Sequence, residues 1–173
     1  GHSSRFAIAA IVVTVDPNDL GRGPFAGVAM QREIEKRFFE AGGSDYTAPA
    51  QRADDFLNGR ETSRIGRSSY TFGTRPGRID ELLPENLRDG LRRAIARFDR
   101  SIPGFAGEHG WLVGVESRSA CPVRIPRDPA TRRASGFENL LPAGEGAGYA
   151  GGIMSAALDG MRCALALLEH GIA

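Results

Sequence analysis

Near its end the chain carries LLPAGEGAGYAGGIMSAALDG, residues 140–160, where Gly146, Gly148 and Gly151 take the spacing GxGxxG. Glycines so placed let backbone N–H groups come close to an anion or a ring edge. A helix that follows adds unpaired donors and a partial positive charge at its start. This is the chemistry of a dinucleotide-binding turn, which also needs a second strand and an acidic residue to hold a ribose. After the helix no second strand with an acid at its end follows before Ala173, so half of such a site is expected. The alternative is that these glycines only permit close packing of helix on strand.

A second cluster is GVESRSACPVRIPRD, residues 114–128, where Glu116, Arg118, Arg124, Arg127 and Asp128 crowd a Ser-x-Cys-Pro turn. Arginines in a loop can clamp a carboxylate or phosphate through paired hydrogen bonds. They can equally form an internal lattice with the nearby carboxylates. Cys121 has no neighbouring histidine to serve as base, so a nucleophilic role is not favoured. Cys121 and Cys163 are the only cysteines and form no CxxC, so a zinc site or disulfide framework has no basis; they read as two free thiols.

Composition narrows the classes. The 173 residues suit one domain or a piece of a larger protein, and 22 Lys and Arg against 21 Asp and Glu leave a net charge of +1. No global field then favours nucleic acid or an anionic membrane. No apolar run approaches the roughly 18 residues of a membrane span, and the expectation is a soluble, cytoplasmic protein. With 23 Gly and 10 Pro, many tight loops are expected. Residues 1–4 read as a terminus, Gly1, His2 and Ser3 having the look of a cleaved tag, and the missing initiator Met also allows an excised fragment.

The elements that must position these clusters follow from periodicity. FAIAAIVVTV, residues 6–15, predicts a strand covered on both faces. Met30, Ile34, Phe38 and Ala41 recur at helical steps and predict a helix ending at Gly42 and Gly43. Residues 46–50 suggest a short strand and 51–57 a helical turn. Residues 58–78, with five arginines against Glu61, predict a long loop. Leu87, Leu91, Ala94 and Phe98 predict a second helix opened by Pro84 as first helical residue. Residues 111–115, 122–126 and 137–143 read as strands. A helix over about 151–168 has apolar residues nearly all round, which predicts burial on most sides.

Taken with their order along the chain, these segments resemble the middle and C-terminal portion of the bacterial NAD(FAD)-utilising, FAD-dependent dehydrogenases. ENLLPAGEGAGYAGGIMSAALDG and GVESRSACPVRIPRD carry the C-terminal part, while IVVTVDPNDL, FAGVAMQREIEKRFFEAGG and YTAPAQRADDFLNG carry the middle. The resemblance implies an α+β fold, a mixed sheet packed with helices, ending in the strand, Gly loop and helix of a FAD-binding fold. It implies a substrate-side region over about 5–110 and a FAD-contact region over about 111–173, with the N-terminal FAD-binding βαβ unit of the family absent from this chain. It implies FAD as cofactor, with NAD(P)H a possible electron donor, and a cofactor loop of Gly144, Glu145, Gly146, Gly148, Gly151, Gly152 and Ile153. Glu145 would lie at the ribityl or phosphate region, and the backbone of Gly151, Gly152 and Ile153 would face flavin N1 and O2. Arg118 and Arg124 are the candidates for anchoring an acidic substrate or the cofactor phosphate. Ser119, Ala120 and Cys121 stand where related sequences often read Thr-Ser-Ser. The catalytic residues are not identified by this resemblance, and the isolated chain is expected to be inactive.

Two other classes are kept. In one, Arg60, Arg64, Arg67, Arg75 and Arg78, interleaved with Tyr70 and Phe72, bind single-stranded nucleic acid by charge and stacking, although the overall charge disfavours it. In the other, the apolar C-terminal helix docks a partner or a second copy. The expected partners are a small-molecule substrate and the family's FAD-binding domain.

Overall fold

The computed structural model describes residues 6–171, so the tag-like residues 1–4 lie outside the described residues. The fold is α+β. A 3-10 turn, Pro17–Asp19, precedes α1 (Ala26–Ala41), β1 (Ala48–Arg52), α2 (Ala53–Asn58), β2 (Thr74–Pro76), α3 (Ile79–Leu82), α4 (Glu85–Ser101), β3 (Trp111–Val113) and α5 (Ile153–His170). The strands form one mixed sheet in the order β2-β1-β3. β1 runs parallel to β2, with Pro49 opposite Arg75, and antiparallel to β3, with Gln51 opposite Leu112. Two compact units result, one made of the residues up to Leu20 with Arg32–Val115, the other of Gly21–Gln31 with the residues from Glu116 on.

In the first unit β1 is central and buried from Ala48 to Gln51. Its neighbours Phe56 on α2 and Ile95 on α4 are fully buried and make the core. A polar hub sits beside them. The Gln51 side chain donates to the Arg60 carbonyl (2.9 Å) and to Asp80 Oδ1 (2.8 Å), while its Oε1 accepts the Asp80 N–H (3.1 Å). Asp80 also takes both arms of Arg78 (2.8 and 2.7 Å) and a bond from Arg92 (3.4 Å). Every polar atom of the Gln51 amide has a partner, which is what burial of such a group demands. Burial raises the Asp80 pKa, but the hydrogen bonds from Arg78 and Gln51 outweigh it and hold the carboxyl below its ordinary value.

Helix α1 ends where its Gly42-Gly43 stop predicted, and Ile34 and Phe38 are its buried residues in this unit. Helix α4 begins one residue later than expected, Pro84 being its cap. Its most buried residue is Ile95, which the expected stripe passed over, while Phe98 is half-exposed beside Phe105. The long loop over 58–78 is interrupted by β2.

Three expectations are corrected. Residues 6–15 enter no ladder; they are irregular and largely exposed, and Val13 lies against α4 at Gly90. An apolar run states that two faces need cover, but it cannot supply neighbouring strands. Residues 122–126 and 137–143 are not strands either; that region holds only an isolated bridge between Arg127 and Ala134. Pro122, Pro126 and Pro142 remove ladder donors. Helix α5 is not buried on most sides. Asp159, Cys163 and Ala166 face inward, whereas Met154, Leu158, Met161, Leu165 and Leu168 form an outward stripe at steps of four and three residues. Among the described residues, no helix is long and apolar enough to cross a membrane, and no group of His, Cys, Asp and Glu could hold a metal ion.

Candidate functional site

The glycine loop precedes α5 in the second unit. The Gly148 N–H donates to the Glu145 carbonyl (2.8 Å) and the Tyr149 N–H to the Gly144 carbonyl (3.0 Å), closing a tight turn. Gly144 and Gly148 have left-handed φ values of +72° and +81°. At Gly148 a side chain would also meet the Val123 carbonyl. The chain itself therefore requires these two glycines. Gly146 and Gly151 are different, since neither has a left-handed φ and nothing lies within 4 Å of where a Cβ would stand. Gly152 is extended, and only Ser155 Oγ comes within 3.9 Å. Internal packing accounts for none of the three. They leave an open cradle.

The cradle opens at the start of α5, where Gly152 caps without a side-chain hydrogen bond and no acidic residue stands in the first turn. Neither a side-chain cap nor a first-turn carboxylate thus meets the partial positive charge of that end. Ile153 is 90% exposed there.

One ion pair fixes the cradle to the helix. Asp159, one turn and a half along α5, accepts the Gly144 N–H (2.9 Å) and both arms of Arg127 (2.9 and 2.5 Å). Arg127 further donates to the Pro142 carbonyl (2.5 Å) and to Cys163 Sγ (3.4 Å). The Tyr149 ring covers its guanidinium at 3.6 Å, and its buried Nε has no hydrogen-bond partner among the described residues. Both side chains are more than nine-tenths buried. The hydrogen bond from Arg127 is the main reason that the Asp159 pKa falls to about 2; burial opposes it and the Gly144 N–H assists.

The segment expected to be a strand spends its hydrogen bonds on the loop instead. The Ile125 N–H donates to the Ala147 carbonyl (3.2 Å), the Tyr149 hydroxyl to the Ile125 carbonyl (2.9 Å) and Arg124 Nε to the Gly148 carbonyl (2.9 Å). Arg124 also lies 5.0 Å over the Tyr149 ring. Cys121 Sγ donates to the Gly146 carbonyl (3.4 Å). Of the alternatives open for this cluster, Arg127 thus takes the internal lattice, although its carboxylate is the distant Asp159. Asp128 closes a local turn, accepting from Ala130 and Thr131.

The other expected residues are placed as follows. Glu145, Arg118 and Arg124 are exposed, and Arg124 is brought to the loop. In the arginine-rich segment, Arg60 pairs with Asp54 and Asp55, Arg75 with Asp45, and Arg78 with Asp80 and Glu81. These pairs spend three of its five cations on internal partners. Tyr149 and Asp159 are the residues that the sequence reading passed over. Asp159 had a signal: it is the one carboxylate between Ile153 and Leu168, and an acid amid apolar helix residues calls for a buried cation.

Comparison with known proteins identifies the family of the chain. An uncharacterized protein of Clostridium beijerinckii is 40% identical over 166 residues, which cover 94% of this chain and 31% of that protein. This chain therefore spans about a third of the length of that relative. The family model described as "FAD-dependent protein, C-terminal domain-like" matches residues 1–119 and ends before the glycine loop. With a match over most of its length, the chain belongs to the FAD-dependent protein, C-terminal domain-like family.

Proposed function

We propose that this chain contributes the flavin-contact loop and substrate-side surface of an oxidoreductase of the NAD(FAD)-utilising dehydrogenase type. The observation that carries the reading is the glycine cradle. Gly146, Gly151 and Gly152 have no internal reason to be glycine, and they border a helix start met by neither a side-chain cap nor a first-turn carboxylate. An electron-rich ring edge or a phosphate fits such a place, because backbone donors can reach it and the dipole favours negative charge.

When bound, the flavin would supply hydride transfer, while the protein orients the ring and tunes it. In this reading Gly151, Gly152 and Ile153 present backbone N–H groups to the pyrimidine edge, and Glu145 lies toward the ribityl chain. Gly144 and Gly148 set the turn, and Arg127 with Asp159 holds it against α5. Arg124, already on the loop, and Arg118 anchor an acidic group of substrate or cofactor. NAD(P)H is the proposed electron donor, and the proposed setting is the cytoplasm. The outward stripe of α5 docks against the remainder of a longer polypeptide, consistent with the greater length of the relative. In this reading residues 5–110 form the substrate side and 111–173 the flavin side.

The test is a titration of FAD fluorescence with this chain and with an N-terminally extended form. Tight binding by the extended form and weak binding by the short one is expected. Failure of both to bind would remove the reading. An unchanged FAD affinity and turnover in extended Arg118→Ala and Arg124→Ala variants would remove the anchoring roles alone.

A further inference from the structure

A second feature lies in the first unit, apart from the glycine loop. A cleft of about 140 Å³ is lined by Phe38, Phe39, Tyr46, Pro49, Tyr70 and Gly114, among others, with Glu35 as the charged residue of its wall and no basic one. The cleft is open to solvent on one side and has room for a single small ring. Its floor is Phe38, which is buried and packs so closely on the Gly114 backbone that any side chain there would displace it.

Around the cleft four aromatic rings form an unbroken chain. Phe39 meets Tyr46 at 5.4 Å between centroids, Tyr46 meets Phe72 at 6.2 Å, and Phe72 meets Tyr70 at 5.9 Å. The first and last contacts are edge-to-face, at 63° and 62°. Such a set would ordinarily close on itself as a small core. Here the rings remain 39–69% exposed, and Tyr46, the most exposed, stands on a left-handed backbone of φ +66°. A left-handed φ is rare for a bulky residue, so the loop is held in a costly conformation that keeps this ring outward.

Two hydroxyls beside the cleft are already engaged. That of Tyr70 donates to the Tyr46 carbonyl (3.1 Å) and that of Thr47 to the Phe72 carbonyl (3.5 Å). They brace the rings, whose faces and edges attract another ring edge-to-face or offset. The absence of basic groups from the wall sets this cleft apart from the anion-anchoring role of Arg118 and Arg124.

We propose that the cleft between Phe38, Tyr46 and Tyr70 binds a neutral planar aromatic or heteroaromatic ring of a small molecule. As a statement of substrate class it rests on the flavin reading above; as a statement of ring binding it does not.

Saturation-transfer NMR on the 173-residue chain tests it, with indole as the probe and cyclohexanol as a non-aromatic control of similar bulk. Indole is expected to bind with a dissociation constant on the order of 1 mM, the strength open to one small ring, and cyclohexanol at least about fivefold more weakly. Tyr46→Gly, which suits the left-handed backbone, should weaken indole about fivefold with the melting temperature kept. Tyr70→Leu provides the same reading should Tyr46→Gly fail to fold. Equal binding of indole and cyclohexanol, or indole affinity unchanged in the folded variants, would overturn the proposal. Indole binding without FAD binding by the extended form would remove the flavin reading and leave the ring site. FAD binding without indole binding would do the reverse.

Discussion

Each unit contains a buried aspartate held by arginine, yet the two are built on opposite plans. In the first unit Asp80 sits among regular elements, and its partners Gln51, Arg78 and Arg92 flank a core of Ala50, Phe56 and Ile95. In the second, Asp159 joins a helix to an irregular loop, and the buried apolar residues are small: Ala134, Ala147, Cys163 and Ala166. The large apolar residues of α5 point outward instead. One unit thus closes by apolar burial with a polar hub inside it. The other is held in shape by hydrogen bonds and an ion pair while its apolar surface stays open, as suits a part that completes its core elsewhere.

The largest expected effect breaks the first plan. Asp80→Ala leaves two arginines and the buried Gln51 amide without their acceptor, and should cost about 4 kcal/mol. Urea unfolding followed by Trp111 fluorescence, on β3 of the same sheet, reads it directly. A cost under about 1 kcal/mol would show that the hub is incidental.

Asp159→Ala attacks the second plan and should cost about 3 kcal/mol, with the loss confined to one unit. Hydrogen exchange at the amides of Gly144, Gly148 and Tyr149 should quicken at least tenfold, while those of β1 hold their protection. Uniform quickening across both units would break the comparison.

Acid distinguishes the plans more gently. Both carboxyls have folded values below the ordinary 3.8, and that of Asp159 is about 2. Their stabilisation is therefore present above about pH 4 and is lost as pH falls below it, for Asp159 as pH falls through about 2. For Asp159 this amounts to on the order of 2 kcal/mol. An acid titration of the Tyr149 and Gly144 NMR signals should show the loop loosening across that window. A loop unchanged at pH 2 would contradict the ion-pair account.

The smallest effects sharpen the reading of the cradle. Gly148→Ala should destabilise by about 2 kcal/mol through its left-handed φ and the Val123 carbonyl, whereas Gly146→Ala should stay within about 0.5 kcal/mol. Thermal melting compares them. FAD affinity in the extended form should fall for Gly146→Ala despite its unchanged stability.

Much of the local structure was legible. Helical spacing located α1, α4 and α5, and the stop at Gly42 and the start at Pro84 fell within a residue of the observed ends. The strand expected over 46–50 and the turn over 51–57 are present as β1 and α2, each displaced by about two residues. The misses share one cause. Residues 6–15 and 122–126 have strand-like composition, but a strand exists only with a neighbour to pair with, and no local pattern names that neighbour.

By itself the sequence determined what depends on near neighbours: where helices start and stop, and where glycine must turn the backbone. It also carried the resemblance to a FAD-dependent family, which the match over residues 1–119 bears out. Tertiary structure alone decided that Arg127 meets Asp159 rather than Asp128, and that α5 turns its apolar side outward. It alone set Tyr46 against Phe72, 26 residues on. The reason is physical: hydrophobic periodicity records how much of a face needs cover, whereas a partner 20 or 30 residues away is selected by shape and charge only once the chain has folded.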